Sequence, residues 1–169
     1  FRILKSVEMD ILENGELDLP DDVLAEADYV VATIHYGLKQ AERQLTDRLL
    51  AAIANRWVDA IGHPTGRILP NRPSYALDFD VVAKAAAHAK CLLEINGSER
   101  LDLPDTLAAA AKSHGVRFVL STDAHNTREL GFMRFAVAVA RRAWLTAADI
   151  LNTRALPDFL KGLRRARNR

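Results

Sequence analysis

Five short apolar runs alternate with longer amphipathic stretches along the chain. The runs cover residues 3–9, 29–34, 58–61, 91–95 and 117–120. They are rich in Val, Ile and Leu and show little alternation of polar with apolar positions, which is typical of parallel strands buried on both faces of a sheet. We therefore predict five strands that belong to one parallel sheet.

The stretches between these runs carry the helical period. In residues 40–54 an apolar stripe is formed by Ala41, Leu45, Leu49, Leu50 and Ile53. Residues 79–89 follow Asp78, a residue type that caps helices, and residues 103–114 contain an early proline and stop before Gly115. Helices that alternate with strands predict an α/β fold, either an open doubly wound sheet or a barrel.

Side chains that can bind metals lie near the ends of these runs. Glu8 is near the end of the first run, and at or just past the ends of the others lie His35, His63, Glu94 and the pair Asp123 and His125. In a parallel barrel the carboxyl ends of all strands meet at one mouth, so residues far apart in sequence share one pocket. The pattern therefore favours a barrel over an open sheet.

Five strands are too few to close such a barrel, because about eight is the usual number. The chain also begins inside a strand-like run and has no initiator Met. We therefore expect the chain to be part of a longer protein whose further strands precede Phe1.

The segment Ser121-Thr122-Asp123-Ala124-His125 directly follows the last apolar run. On a strand, residues i and i+2 point to the same side, so we expect Asp123 and His125 to aim at one point. Taken alone, the aspartate can be a helix cap and the histidine an ordinary polar residue. The histidines near the ends of two other runs favour the metal hypothesis instead. Imidazoles mixed with carboxylates suit zinc, manganese or iron in a catalytic site, and several such ions together suit phosphoester hydrolysis.

Composition limits the class of protein. The chain has 169 residues, 49% of them hydrophobic, and a net charge of +1, which fits one globular domain without an overall basic surface for nucleic acid. A single cysteine, Cys91, excludes a disulfide framework and is expected to be buried and inert.

No run is long enough to span a membrane and no leader pattern is present, so we predict a cytoplasmic protein without membrane contact. The basic residues 161–169 are expected to form a frayed, solvated helix end, and Trp57 and Trp144 to pack.

Taken together, the motifs resemble the polymerase and histidinol phosphatase (PHP) superfamily, and most closely the C-terminal PHP domain of bacterial and archaeal family X DNA polymerases. The resemblance covers about residues 3–163. Its motifs are Val7-Glu8-Met9-Asp10-Ile11-Leu12, Ala32-Thr33-Ile34-His35, Gly62-His63-Pro64-Thr65-Gly66-Arg67, Leu93-Glu94-Ile95-Asn96 and Ser121-Thr122-Asp123-Ala124-His125, with further similarity in residues 96–103, 131–134 and 140–153.

The resemblance implies a distorted (βα)7 TIM-like barrel with up to three divalent ions, Mn or Zn with Fe as a further alternative, at its mouth. The implied metal ligands are Glu8, His35, His63, Asp123 and His125, among which Glu8, His35 and Asp123 would also be catalytic. Glu94 is expected to support the ligands rather than to bind directly. The implied substrate contacts are Asn96 from the pocket lining and Arg67 and Arg100, which would bind phosphate. For the two arginines, a surface salt bridge or a cap is the alternative.

The family's first metal motifs, a His-x-His pair and later an Asp and a His, would lie before Phe1. We therefore expect residues 1–169 to form one partial PHP domain that holds an incomplete metal cluster. Exposed strand edges would make it marginally stable or favour association with another copy. A polymerase domain in the same full-length protein and DNA are the implied partners.

Three functions remain open at this point. The leading one is a metal-dependent phosphoesterase module that acts on DNA 3′ ends as an exonuclease or 3′-phosphatase in repair synthesis. The second is a small-molecule phosphatase of the histidinol phosphatase type. The third is a noncatalytic scaffold for an attached polymerase.

Overall fold

Five parallel strands form a single sheet in the computed structural model, which describes residues 2–164. The strands are β1 (Ser6–Asp10), β2 (Tyr29–Thr33), β3 (Ala60–Ile61), β4 (Leu92–Asn96) and β5 (Phe118–Ser121). Each lies within or within one residue of a predicted run, so the five predicted strands and the parallel sheet are confirmed. β3 is the shortest, with two residues paired to β2 and β4.

Six helices accompany the sheet. They are α1 (Asp21–Glu26), α2 (Glu42–Ala54), α3 (Phe79–Ala89), α4 (Asp105–Ser113), α5 (Met133–Arg142) and α6 (Leu156–Gly162). α3 has the predicted bounds, and the Asp78 side chain accepts a hydrogen bond from the Val81 N–H at 3.2 Å as its cap. α2 and α4 each begin two residues later than predicted. The sequence analysis did not predict α1 and α5, and of α6 it expected only a helix end from residue 161 onward.

The strand order distinguishes the two predicted architectures. The order is β1-β2-β3-β4-β5, without the reversal that defines a doubly wound sheet. Parallel strands in sequential order with right-handed connections place their helices on one face, as in a barrel wall. The α/β class is therefore confirmed. Within residues 2–164 the sheet stays open, because no pairing joins β1 to β5, so the closed seven-unit barrel stays a prediction.

The two faces of the sheet differ in polarity. On β4, Leu93 and Ile95 enter the large core under the helices, whereas Leu92 joins a smaller apolar cluster on the opposite face. Because side chains alternate along a strand, Glu94 and Asn96 share the face of Leu92. Phe159 of α6 packs into the same smaller cluster. This inner face is thus apolar near the amino ends of the strands and polar near their carboxyl ends.

The end of the described chain is firmly attached. The guanidinium of Arg164 donates hydrogen bonds to the carbonyls of Ile53, Asn55 and Val58 at 2.8–3.0 Å, and its backbone N–H donates to Asp59. The prediction of a frayed, solvated helix end over residues 161–169 is therefore wrong as far as Arg164. Residues 165–169 lie outside the described chain.

Trp144 also differs from its predicted packing role. Its side chain is 83% exposed and its φ is 56°, because it follows the C-cap of α5. The Trp144 N–H donates to Arg141 and the Leu145 N–H to Ala140, the double bond pattern of a Schellman motif. Trp57, in contrast, is partly buried against the core as predicted.

Within residues 2–164 no helix combines the length and the apolar character needed to cross a lipid bilayer.

Candidate metal centre

Three side chains from three neighbouring strands meet at the carboxyl edge of the sheet. Glu8 lies on the inner face of β1, and His35 and His63 each follow a strand by two residues. Glu8 Oε1 is 3.1 Å from His63 Nε2 and 3.6 Å from His35 Nε2. One donor atom of each residue lies within 4.8 Å of the others, and among the described residues this trio alone meets that spacing.

The trio fits a divalent transition metal. Ligand atoms about 2.1 Å from one ion lie roughly 3.0–3.4 Å apart in octahedral or tetrahedral geometry, close to the two distances from Glu8. The set of two imidazoles and one carboxylate also matches catalytic zinc and manganese sites. In addition, His63 is 2% exposed and its Nδ1 has no hydrogen-bond partner in residues 2–164. The residues present therefore suit the ion that the sequence predicted.

Asp10 orients one of these imidazoles. Asp10 Oδ1 is 2.6 Å from His35 Nδ1, which leaves His35 Nε2 facing Glu8. A carboxylate on the second ring nitrogen is the common way in which proteins fix the tautomer and raise the basicity of a histidine ligand. Asp10 thus supports His35.

The backbone at His63 is held in an unusual conformation. His63 has a φ of 27°, a value that residues other than glycine rarely adopt. A Cβ on the preceding Gly62 would lie 2.6 Å from Thr33 and 2.7 Å from Val31, so glycine lets the chain pass close to β2. Strain of this kind persists where the surroundings enforce it and is concentrated at functional sites.

Two buried carboxylates enforce this conformation. Glu94, 8% exposed, accepts the His63 backbone N–H at 2.6 Å, and Asp102, fully buried, accepts both the backbone N–H and the hydroxyl of Thr65 at 3.0 Å. Burial raises the pKa of each carboxyl above its ordinary value, against the opposing effect of these hydrogen bonds. Glu94 also accepts from the Ser121 hydroxyl. Its contacts are those of a support for His63, the role predicted for it.

Arg48 of α2 binds the loop after β1 and the loop after β2. The sequence analysis did not identify this residue. It is 2% exposed and donates to the carbonyl of Ile11, to the carbonyl of Tyr36 at 3.0 Å and to Gln40 Oε1 at 2.8 Å. Ile11 directly follows Asp10, and Tyr36 directly follows His35. Arg48 therefore holds together the two loops that carry the Asp10–His35 pair.

The electrostatics of the trio are coupled. The hydrogen bond from His63 lowers the pKa of Glu8, and the charges of His63, His35 and Arg100 act in the same direction against partial burial. Burial lowers the pKa of His63, but the bond to Glu8 and the charge of Glu94 outweigh it and raise that pKa above its ordinary value. Glu8 is therefore an anion at neutral pH, as a metal ligand must be.

Asp123 and His125 lie apart from this trio. β5 ends at Ser121, and Asp123 has a φ of 52°, so the argument that a strand aims both side chains at one point is wrong. The His125 side chain is 81% exposed, and its Nδ1 contacts the Asp123 backbone carbonyl at 2.8 Å. The structure thus brings Glu8, His35 and His63 together and leaves the Asp-x-His pair in the loop after β5.

Polar contacts nevertheless connect Asp123 to the same mouth. Asp123 Oδ2 accepts from Asn96 Nδ2 at 3.3 Å and from Arg100 Nε at 3.4 Å, and Asn96 also donates to Glu94 at 3.3 Å. Glu94 in turn holds His63. A continuous polar network therefore runs across the carboxyl edge from β1 to the loop after β5.

The two candidate arginines differ in what their donors contact. Arg67 donates from Nε to the Arg100 carbonyl at 3.1 Å and from Nη2 to the Leu101 carbonyl, so it holds the loop after β4. Arg100 contacts Asp123 through Nε, but its buried Nη1 has no partner within the described chain. Of the two, Arg100 lines the polar pocket that contains Asp123 and His125.

Comparison with known proteins gives relatives over nearly the whole chain. The DNA polymerase/3′-5′ exonuclease PolX of Bacillus subtilis (strain 168) is 45% identical over 165 residues, which cover 95% of this chain and 29% of that protein. A probable phosphatase of Thermoanaerobacter sp. (strain X514) is 32% identical over 96% of this chain and 69% of its own length. A probable phosphatase of Edwardsiella ictaluri is 33% identical over 94% of this chain and 67% of its own length.

No family model matches the chain. It spans less than a third of the polymerase and about two thirds of the two phosphatases. The similarity to both a family X polymerase and probable phosphatases is the combination that the sequence motifs predicted. Together with the parallel sheet and the histidine and glutamate trio at its carboxyl edge, it shows that the chain belongs to the PHP superfamily.

Proposed function

We propose that this chain is the metal-dependent phosphoesterase module of a family X DNA polymerase and that it hydrolyses phosphoester bonds at DNA 3′ ends. The observation that carries the proposal is the trio of Glu8, His35 and His63, whose spacing suits a divalent ion. The polymerase relative, named as a 3′-5′ exonuclease, favours a nucleic-acid substrate.

The proposed ligands are Glu8, His35 and His63, joined by Asp123 and His125 from the loop after β5. A bound Mn or Zn ion would supply Lewis-acid polarisation of a phosphoryl oxygen and would lower the pKa of water. Asp10 holds the His35 ring so that Nε2 faces the site, and Glu94 holds the His63 backbone. The catalytic residues proposed are Glu8, His35 and Asp123.

Substrate binding is assigned to Arg100 and Asn96. Arg100 lines the polar pocket beside Asp123 and His125, so its guanidinium offers a charge-assisted hydrogen bond to a phosphate oxygen there. Asn96 bridges Glu94 and Asp123, so it lines the floor between ligand groups. Arg67 acts indirectly, because its bonds to the Arg100 and Leu101 carbonyls fix the loop that carries Arg100.

The polymerase relative is more than three times as long as the region it shares with this chain. We therefore propose that the module works beside a polymerase domain of the same protein, in the cytoplasm, and removes blocked or mismatched 3′ ends before synthesis. The further ligands that complete a cluster of up to three ions would come from that longer protein.

The test is hydrolysis of a 3′-labelled oligonucleotide by the full-length protein with Mn. We expect His35→Ala, and the double change Asp123→Ala with His125→Ala, to abolish both hydrolysis and stoichiometric metal binding. The matched control is His88→Ala, because His88 is an exposed histidine in the last turn of α3, which leads into the amino end of β4 and not its carboxyl end. Undiminished hydrolysis in the two site variants would overturn the site assignment, and no hydrolysis by the wild type would leave the scaffold role instead.

A second candidate is hydrolysis of a small phosphate monoester. The similarity to probable phosphatases, of which the chain covers about two thirds, favours it. Turnover of a free sugar or amino-alcohol phosphate that exceeds turnover of the oligonucleotide at equal concentration would select this second function.

A further inference from the structure

Two pockets adjoin at the carboxyl edge of the sheet and share a wall. The first, about 310 Å³ in volume, is polar and contains Arg100, Asp123 and His125. The second, about 360 Å³, lies beside it, and both are lined by Ser98, Glu99 and Phe132. A ligand held by Arg100 therefore has a neighbouring space that opens next to it.

The second pocket has mainly apolar walls. Four of its lining residues are Leu69, Leu101, Phe132 and Phe135. The Phe132 and Phe135 rings lie 6.1 Å apart at an angle of 43°, and the guanidinium of Arg134 stacks 4.6 Å from the Phe135 ring. Phe135 is 38% exposed and Leu69 44% exposed, so apolar surface remains open to solvent in a polar region.

The backbone around this pocket is tightly fixed. A Cβ on Gly97 would lie 2.4 Å from the Phe132 carbonyl oxygen, so glycine is needed for the end of β4 to touch the segment that carries both rings. Leu101 has a φ of 43°, the left-handed region that leucine avoids. Arg67 and the Leu69 N–H bind carbonyls of the same loop. The pocket is therefore a preformed space rather than a gap between mobile side chains.

The geometry points to a base-binding subsite: the apolar pocket receives the nucleobase of the nucleotide whose phosphate Arg100 holds. This inference rests on the proposed function and names the part of the substrate that the metal centre does not contact. Under this assignment, Phe132 and Phe135 make the protein bind substrates that carry a base more tightly than phosphate esters that lack one.

Three observations favour a nucleobase as the occupant. The volume of about 360 Å³ lies at the small end of the range for ligand pockets, which suits one flat ring system rather than a peptide or a second protein surface. The pocket shares a wall with the polar pocket that Arg100 lines, so a ligand that spans both combines an anion with an apolar group. Aromatic walls without an array of side-chain donors suit stacking, which accepts every base.

The first test measures binding without turnover. Deoxyadenosine 5′-monophosphate and 2-deoxyribose 5-phosphate, which differ by the base, are titrated into the full-length protein by calorimetry. We expect the base to tighten binding by roughly tenfold, since stacking of a base on an aromatic side chain is of this order. Equal affinity for the two ligands would overturn the inference.

Variants then locate the effect. We expect Phe135→Leu, which keeps apolar bulk, to remove most of the preference for the nucleotide and to leave the affinity for 2-deoxyribose 5-phosphate unchanged. The matched control is Leu130→Ala, because Leu130 is 61% exposed in the same segment but does not line the pocket. A base preference that survives in Phe135→Leu, or is lost equally in Leu130→Ala, would contradict the assignment of the pocket.

The experiments distinguish failure of the base-binding subsite from failure of the proposed hydrolytic function. If the protein fails to hydrolyse DNA but still binds the nucleotide more tightly through Phe135, the subsite stands and the hydrolytic proposal falls. If it hydrolyses base-bearing and abasic 3′ termini at equal rates and binds the two ligands equally, the subsite falls and the hydrolytic proposal stands.

Discussion

Replacement of Arg48 by Met should weaken both the fold and the metal site. Arg48 donates three hydrogen bonds, two of them to the carbonyls of Ile11 and Tyr36 in the loops after β1 and β2. At about 1.5 kcal/mol each, the lower end for charged groups, they amount to roughly 4–5 kcal/mol. Methionine no longer buries a charge, which offsets part of this loss, so we expect a net loss of about 3 kcal/mol. For a domain of this size that corresponds to a melting temperature lower by roughly 6–12 °C.

The same loops carry Asp10 and His35, so we also expect Arg48→Met to weaken Mn binding by about tenfold. Urea unfolding measures the first effect and isothermal titration with Mn the second. Arg43→Met is the control on the same helix: the Arg43 side chain is 93% exposed and 3.8 Å from Asp47, so its loss should cost less than about 0.5 kcal/mol. The reasoning is refuted if Arg48→Met matches Arg43→Met in both measurements.

Three further predictions follow from individual contacts. Asp10→Asn should weaken Mn binding about 10- to 100-fold in a calorimetric titration, because the carboxylate no longer orients His35, and unchanged affinity would contradict this role. Burial opposes ionisation of Asp149, but hydrogen bonds from Thr146 and Lys112 lower its pKa below 3.8, so its contribution to stability is present above that value and lost as the pH falls through the lowered pKa. Asp149→Asn should therefore lower the urea midpoint near neutral pH and have progressively less effect as the pH falls below 3.8, and an effect that stays constant with pH would argue against the pairing. Trp144→Gly should raise stability in urea by about 0.5–1 kcal/mol, because glycine adopts the φ of 56° without strain, whereas a loss of stability would show that the exposed ring packs after all.

The sheet could be predicted because its strands are short apolar runs whose burial on both faces leaves a clear pattern. Glu94 is informative in this respect: a carboxylate inside such a run must face a polar pocket or a partner, and it accepts the His63 backbone N–H. The ends of β1, β2 and β3 likewise predict where Glu8, His35 and His63 lie, because parallel strands bring their carboxyl ends to one edge.

The loops could not be predicted in the same way. The orientation of Asp123 and His125 depends on a φ of 52° just after β5, which no periodicity in the sequence indicates. Leu101 and the two phenylalanines of the apolar pocket come together only through contacts between distant loops. Trp144 is exposed because a helix ends there, whereas residue type alone predicts that tryptophan packs.

Arg48 could have been found. It lies three residues after Leu45 and four before Ala52, so it falls on the buried stripe of α2, where a charge requires partners. Its partners, however, are backbone carbonyls of two loops, and only the structure shows which ones.

Anomalous diffraction from Mn-soaked crystals of the full-length protein tests the assignment of the metal centre. We predict a peak bonded to Glu8 Oε1 and to nitrogens of His35 and His63, at about 2.0–2.3 Å from each. A Mn peak that lies only at Asp123 and His125, or no peak at the carboxyl edge of the sheet, would contradict it.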